Sequence, residues 1–278
     1  MPGIRSFLGR RLQFLSKCRS KAWFRPLLKA VDFPVSVRWG NIRYRVRFLR
    51  DLPLILRDSG EPEMHEAFGR VLASVGATHF IDVGANVGTY AWHALQASPG
   101  LFVFLIEPDP LNAGLLRQTI RNNSLNRVDL WEGAAAASSG TREFVIDDVS
   151  GATGSLHEHR SNPGSLHTAY RLGRKILVPT TTLDAYASRI PPGAQLVIKI
   201  DVEGAEIEVL EGAMRLVDGL RPAIFVESFE RSAQKTIEAR HYRSFEIDER
   251  GNQLLVPEEK AAGFISQGIV REKVKGSG

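Results

Sequence analysis

From His79 onward the chain alternates short apolar runs with stretches of helical periodicity, and this alternation restricts its fold more than any other feature. The pattern predicts strands at 79–83, 101–106, 128–132, 195–201 and 223–227, and helices near 88–97, 110–121, 204–217 and 231–239. Runs this short and this uniformly apolar suit strands buried on both faces, which requires helices above and below a mostly parallel sheet. The expected fold is therefore α/β and Rossmann-like. Beyond Glu227 the pattern changes: 243–248 and 252–256 flank Glu249-Arg250-Gly251 and predict a C-terminal hairpin on the sheet edge. Open sheets of this kind bind ligands outside the carboxyl ends of their strands, so residues at those ends carry the functional reading.

The chain before the alternation is organised differently. Residues 35–49 alternate apolar and polar side chains about Gly40-Asn41, which predicts a β-hairpin, and 63–75 carry a helical pattern. Residues 1–30 hold eight of the 36 basic residues and no acid, leaving 28 cations against 31 anions in the rest of the chain. The net charge of +5 thus belongs to the leader, and nucleic-acid binding by the body has no electrostatic support. Ile4, Phe7, Leu8, Leu12 and Leu15 recur at helical spacing among those cations. This is a basic amphipathic helix, which either lies on an anionic membrane surface or packs on the domain. Charges interrupt every stretch that could serve as the apolar part of a secretory signal. The longest apolar run, Leu101 to Ile106, falls far short of the roughly 18 residues that span a bilayer. A single cysteine, Cys18, excludes an internal disulfide and a cysteine-based zinc site. It also fits a cytoplasmic setting, with peripheral membrane contact through 1–30 as a variant. The expected division is a leader at 1–34, a hairpin and helix at 35–75, the α/β domain at 76–258 and a tail at 259–278.

Phe80-Ile-Asp-Val-Gly-Ala-Asn-Val-Gly-Thr89 runs from a strand through Gly84, Ala85 and Asn86 into a helix at Gly88. Glycines here allow a tight turn and close approach of a ligand to the backbone. A dinucleotide enzyme would use the same architecture. However, Asn86 stands where the central glycine of that fingerprint belongs, and Asp82 would meet a pyrophosphate with like charge. An acid there suits a cation. S-adenosylmethionine carries an ammonium and a sulfonium, and Asp82 can neutralise the former. Glu107 ends Leu101-Phe-Val-Phe-Leu-Ile-Glu-Pro-Asp109, 23 residues after Gly84, where a carboxylate can accept both hydroxyls of an adenosyl ribose.

Gln195-Leu-Val-Ile-Lys-Ile-Asp-Val-Glu-Gly-Ala-Glu206 is the second dense cluster. Strand alternation puts Lys199 and Asp201 on one face near the carboxyl end, and Glu203 and Gly204 turn into the next helix. A lysine in an otherwise apolar strand is costly unless paired. It is either an ion-pair partner of Asp201, Glu203 or Glu206, or a group that works with Asp201 to orient or deprotonate an acceptor. Glu227 ends the next strand. Residues 147–175 form the one long irregular stretch, with His157, His159 and His167 near Arg160, Tyr170, Arg171 and Arg174. They are solvated loop residues or a lid that grips a polar acceptor. No compact metal-ligand motif occurs, so no metal is expected.

In chain order, Phe80-Ile-Asp-Val-Gly-Ala-Asn-Val-Gly88, Glu107-Pro-Asp109, Thr182-Leu-Asp184, Lys199-Ile-Asp-Val-Glu-Gly-Ala-Glu206 and Val209-Leu-Glu-Gly-Ala213 resemble the FkbM-type methyltransferase family. The resemblance implies a class I methyltransferase fold, S-adenosylmethionine as cofactor, and transfer to oxygen, often a hydroxyl of a sugar or secondary metabolite. It puts Asp82, Gly84, Ala85, Asn86, Gly88, Glu107 and Pro108 at cofactor positions. Lys199, Asp201 and Glu203 fall at the family's second motif, where catalytic residues are expected. The implied partner is a small molecule or glycan with a hydroxyl. Two rival readings are an NAD(P)-dependent oxidoreductase on a similar sheet and a membrane-docked binding protein without turnover.

Overall fold

A computed structural model of the chain describes residues 32–55, 61–146, 154–156, 174–227 and 236–271. The leader helix, the three histidines of the 147–175 stretch and most of the helix expected at 231–239 lie outside the described residues.

Strands β1 (Pro34–Trp39) and β2 (Ile42–Arg47) pair antiparallel about Gly40-Asn41, the hairpin that the sequence predicts. A helical turn at Leu52–Ile55 leads towards α1 (Pro62–Val75). Proline at its first turn and left-handed Gly76 after its last residue bound α1, and Met64, Ala67, Phe68, Val71 and Leu72 form its buried stripe. The chain then builds β3 (His79–Val83), α2 (Thr89–Ala97), β4 (Phe102–Ile106), α3 (Pro110–Asn122) and β5 (Val128–Trp131). Next come β6 (Ala134–Ala135), β7 (Gly140–Ile146), β8 (Arg174–Thr181) and a 3₁₀ segment at Leu183–Arg189. The central pattern resumes with β9 (Leu196–Ile200), α4 (Glu206–Glu211), α5 (Met214–Leu220) and β10 (Ala223–Val226). β11 (Tyr242–Glu246), β12 (Gln253–Pro257) and α6 (Glu258–Ser266) finish the described chain.

Seven strands form one sheet in the order β11-β12-β10-β9-β3-β4-β5. β10, β9, β3, β4 and β5 run parallel, and the β11–β12 hairpin joins β10 antiparallel at the edge. This is the α/β class expected. β6, β8 and β7 make a separate small sheet in the interval between β5 and β9. Residues 258–266, which fall mostly in the expected tail, are helical and bury Ala261 and Phe264. Among the described residues no helix is long and apolar enough to cross a membrane.

Strand order reverses at β3: the chain moves outward through β4 and β5, then returns as β9 on the other side. Such a reversal opens a crevice at the carboxyl ends of the strands. Alternation also divides the core. Phe80, Leu105, Val197 and Phe225 pack on one face with Phe68 and Trp92. Ile81, Val83, Ile106, Ile198 and Ile200 pack on the other with Leu210 and Leu216. Asp82 and Lys199 interrupt the first of these stripes, and strand register sets them side by side.

Candidate active site

A cavity open to solvent, with about 520 Å³ of empty space when the solvent at its mouth is included, lies at the carboxyl ends of β3 and β4. Ile106, Pro108, Ala135, Phe144 and Leu156 give it apolar walls, and Glu107, Asp109 and Asp201 are its acidic lining residues. Gly84 and Asn86 supply another edge. The turn beside it is tied down by its own backbone. The N–H groups of Gly84 and Ala85 both donate to the Ile106 carbonyl, at 3.0 and 3.1 Å, and Gly88 N–H donates to the Ala85 carbonyl at 2.7 Å. Glu107 Oε2 accepts from Asn86 N–H at 2.7 Å, and Oε1 accepts from Asp109 N–H at 2.8 Å. Its carboxylate therefore latches the glycine turn to the tip of β4. Burial pushes the Glu107 carboxyl up to about 8, against the pull of those two N–H groups and of Arg50.

Asp109 caps α3 by accepting from Leu111 N–H at 2.8 Å. Its second oxygen accepts from the Arg50 guanidinium at 2.6 Å, with both side chains buried. Sequence reasoning missed Arg50. An isolated arginine before a helical turn carries no signal of a partner 59 residues away.

The glycines of the turn are required by chain packing. Gly84 has φ +75°, and a Cβ there would lie 1.8 Å from the Asp201 carbonyl oxygen. At Gly88, with φ +84°, a Cβ would lie 2.6 Å from the Trp92 indole. The close approach permitted at Gly84 is that of the backbone leaving β9. Gly84→Ala is expected to cost about 2–3 kcal/mol in all, because left-handed backbone and a steric clash with main chain add together. Urea unfolding should show a lower midpoint with an unchanged slope; an unchanged midpoint would mean that the turn relaxes freely.

Asp82 is not among the residues that line the cavity. It sits beside Lys199 on the α1 and α2 side of the sheet, 1% exposed. Neither of its carboxylate oxygens has a hydrogen bond of normal geometry among the described residues. Burial pushes its carboxyl up to about 6, opposed chiefly by the Lys199 ammonium. Lys199 is itself buried; it donates to Asp201 Oδ2 at 2.7 Å and stands 4.5 Å from the centre of the Tyr90 ring. Burial works against the lysine charge, but Asp201 and Asp82 outweigh it and hold the ammonium above the ordinary lysine range.

Asp201 follows the end of β9, so it both lines the cavity and pairs with Lys199. Burial alone would raise its carboxyl; Lys199 and Glu227 hold it below the usual range instead. Glu227, just past the end of β10, is pushed up to about 9, first by the Asp201 charge and then by burial, with the two carboxyls in hydrogen-bonding reach. Such a pair holds one proton at neutral pH. Glu203 stands in a left-handed turn at φ 50°, its carbonyl accepting from Ser155 Oγ at 2.8 Å. Glu206 folds back to accept from Gly204 N–H at 2.9 Å. Of the three acids open to Lys199 from the sequence, Asp201 is the one it bonds.

Sequence reasoning also passed over the groups around Tyr90. Its hydroxyl donates to Glu61 Oε2 at 2.8 Å, and His65 stacks on its ring at 4.5 Å and 10°. His65 Nδ1 lies 3.3 Å from His93 Nδ1. Burial, then His93 and Lys199, push His65 down to about 4, so it is neutral near pH 7. Among the described residues no cluster of three or more potential metal ligands occurs.

The sequence model of the methyltransferase FkbM domain family matches residues 82–254. The 2-O-methyltransferase NoeI of Sinorhizobium fredii is 30% identical over 138 residues, which cover 48% of this chain and 56% of that protein. The chain thus spans little more than half the length of that curated relative. Among solved structures, methyltransferase FkbM from Methylobacillus flagellatus KT is similar with a TM-score of 0.44 and 17% identity, over 73% of this chain and 52% of that one. TYW2 of M. jannaschii, solved in complex with AdoMet, gives a TM-score of 0.41 and 12% identity, over 81% and 84% of the two chains.

Proposed function

This chain belongs to the FkbM methyltransferase family, and we propose that it transfers a methyl group from S-adenosylmethionine to a hydroxyl oxygen of a sugar or secondary metabolite. The observation that carries this reading is the make-up of the cavity lining, where the acidic residues Glu107, Asp109 and Asp201 stand among apolar ones. Carboxylates attract an ammonium and accept hydrogen bonds from ribose hydroxyls, and an apolar wall suits a purine. The same residues do not fit a pyrophosphate, which needs free N–H groups at the turn. Those of Gly84, Ala85, Asn86 and Gly88 are already bonded to Ile106, Glu107 and Ala85. This weighs against the oxidoreductase. The name of the NoeI relative, a 2-O-methyltransferase, favours a hydroxyl as the acceptor group.

When bound, the cofactor supplies a methyl group already activated by a sulfonium. On this reading Glu107 accepts the ribose hydroxyls, while Gly84, Ala85, Asn86, Gly88 and Pro108 shape the turn and wall beside it. Asp82, buried on the Lys199 side, contributes negative field rather than contact. Asp201 takes the proton of the acceptor hydroxyl, Lys199 holds the Asp201 carboxylate in place, and Glu203 forms the turn that brings Asp201 to the rim. Alignment of the reacting groups is worth roughly 7–11 kcal/mol in such displacements, and proton removal adds about 10²–10⁴-fold.

Incubation with isotope-labelled S-adenosylmethionine and a fractionated cell extract should place label on a hydroxylated small molecule or glycan, read by mass spectrometry. Calorimetry should show binding of S-adenosylmethionine and none of NADH. The converse binding result would favour the oxidoreductase, and tight cofactor binding without labelled product in any fraction would favour the binding protein. Binding should also move protons. Ribose hydroxyls donate best to an ionised carboxylate, so complex formation near pH 7 draws Glu107 down from about 8 and releases part of a proton. Binding enthalpies measured in two buffers of different ionisation enthalpy should differ for the wild type, and much less for Glu107→Gln. Equal enthalpies in the wild type would remove Glu107 from the ribose end.

A further inference from the structure

We infer that Glu61, which precedes the segment matched by the family, is a positioning residue for the Lys199–Asp201 pair and acts through Tyr90. The inference rests on the reading of Asp201 as proton acceptor. Glu61 stands at the N-cap of α1, where a short polar side chain ordinarily accepts first-turn N–H groups. Its side chain makes no such cap, and the backbone there has φ −136° and ψ 56°. The carboxylate is directed instead to the Tyr90 hydroxyl, from which it accepts at 2.8 Å.

Tyr90 is 6% exposed, so its hydroxyl needs a partner within the protein, and Glu61 provides one. The bond fixes the ring, and the ring forms one wall of the lysine site, 4.5 Å from Nζ. His65, on α1, stacks on the same ring. The other charged groups that face Lys199 are Asp82 on β3, Asp201 and Glu227. Glu61 also bears on Glu227, whose proton it helps to retain. Loss of the Glu61 bond would leave a buried donor unmet, free the ring to turn, and let the ammonium swing away from Asp201. The chain Glu61–Tyr90–Lys199–Asp201 therefore links the start of α1 to the rim of the cavity.

NMR of the full chain carrying ¹³C-labelled lysine tests this without an acceptor, with the Lys199 ε signal assigned by its loss in Lys199→Arg. In Glu61→Ala and Tyr90→Phe that signal should lose its ring-current shift. In Glu61→Gln, whose amide oxygen still accepts the hydroxyl, it should stay. Label incorporation from S-adenosylmethionine into the extract should fall about tenfold in the first two variants and recover largely in Glu61→Gln, with calorimetric affinity for S-adenosylmethionine unchanged. An unmoved Lys199 signal in Glu61→Ala and Tyr90→Phe, whatever their melting temperature, would reduce the contact to a structural one and overturn the inference. Absence of labelled product from the wild type would refute the methyl-transfer reading, while the Lys199 signal would still decide the positioning.

Discussion

Lys199→Met is expected to destabilise the fold by about 3–5 kcal/mol, the cost of leaving buried carboxylates without their cation. The side chains of Lys199 and Asp201 are 5% and 28% exposed and meet at 2.7 Å. Among the described residues Asp82, the register neighbour of Lys199, has no hydrogen bond of normal geometry to soften the loss. Methionine conserves the length and most of the volume of lysine, so the deficit reports charge more than packing. The pH dependence separates the two causes. Asp82 already sits near 6 because of burial, and removal of Lys199, which lowers it, raises it further. A carboxyl whose folded value exceeds its unfolded one stabilises below the unfolded value and loses that contribution as pH rises through the folded one. The deficit of Lys199→Met should therefore be larger at pH 8 than at pH 5 in urea unfolding. Equal deficits at the two pH values would assign it to packing.

The same residues show where sequence reasoning stops. Period-two alternation is a local property, and it suffices to put Lys199 and Asp201 on one face and to foretell the parallel sheet and its terminal hairpin. Which strand lies alongside which is not local. Asp82 reads as part of the turn at Gly84 because it is two residues away, yet its neighbour across the ladder is Lys199. The need for glycine at 84 is likewise legible, while the identity of the approaching backbone, the Asp201 carbonyl, is set by that same strand pairing. Arg50 and Glu61 are ordinary surface-type residues in sequence, and only long-range docking turns them into partners of Asp109 and Tyr90. α6 is a different matter: acids in the first turn after Pro257 are a helix start that the sequence does carry.

Asp201→Asn is expected to lower label incorporation by about 10²–10⁴-fold while leaving affinity for S-adenosylmethionine near the wild-type value. Asparagine keeps the shape and can still accept from Lys199, but it cannot take a proton. The wild-type Asp201–Glu227 pair holds one proton at neutral pH; loss of that proton, near 9, leaves two carboxylates and a stronger base. Wild-type incorporation should thus climb between pH 7 and 9. In Asp201→Asn the principal cause of the Glu227 elevation is gone, so residual activity should climb at lower pH. Stability should mirror this. Glu227 favours the fold below its ordinary value of 4.5 and ceases to do so as pH rises through about 9, a decline whose upper end Asp201→Asn should erase. A variant that turns over like the wild type would exclude Asp201 from the proton path. Parallel losses of rate and cofactor affinity would make it a structural partner of Lys199, because a base lost from an intact site leaves ground-state binding untouched.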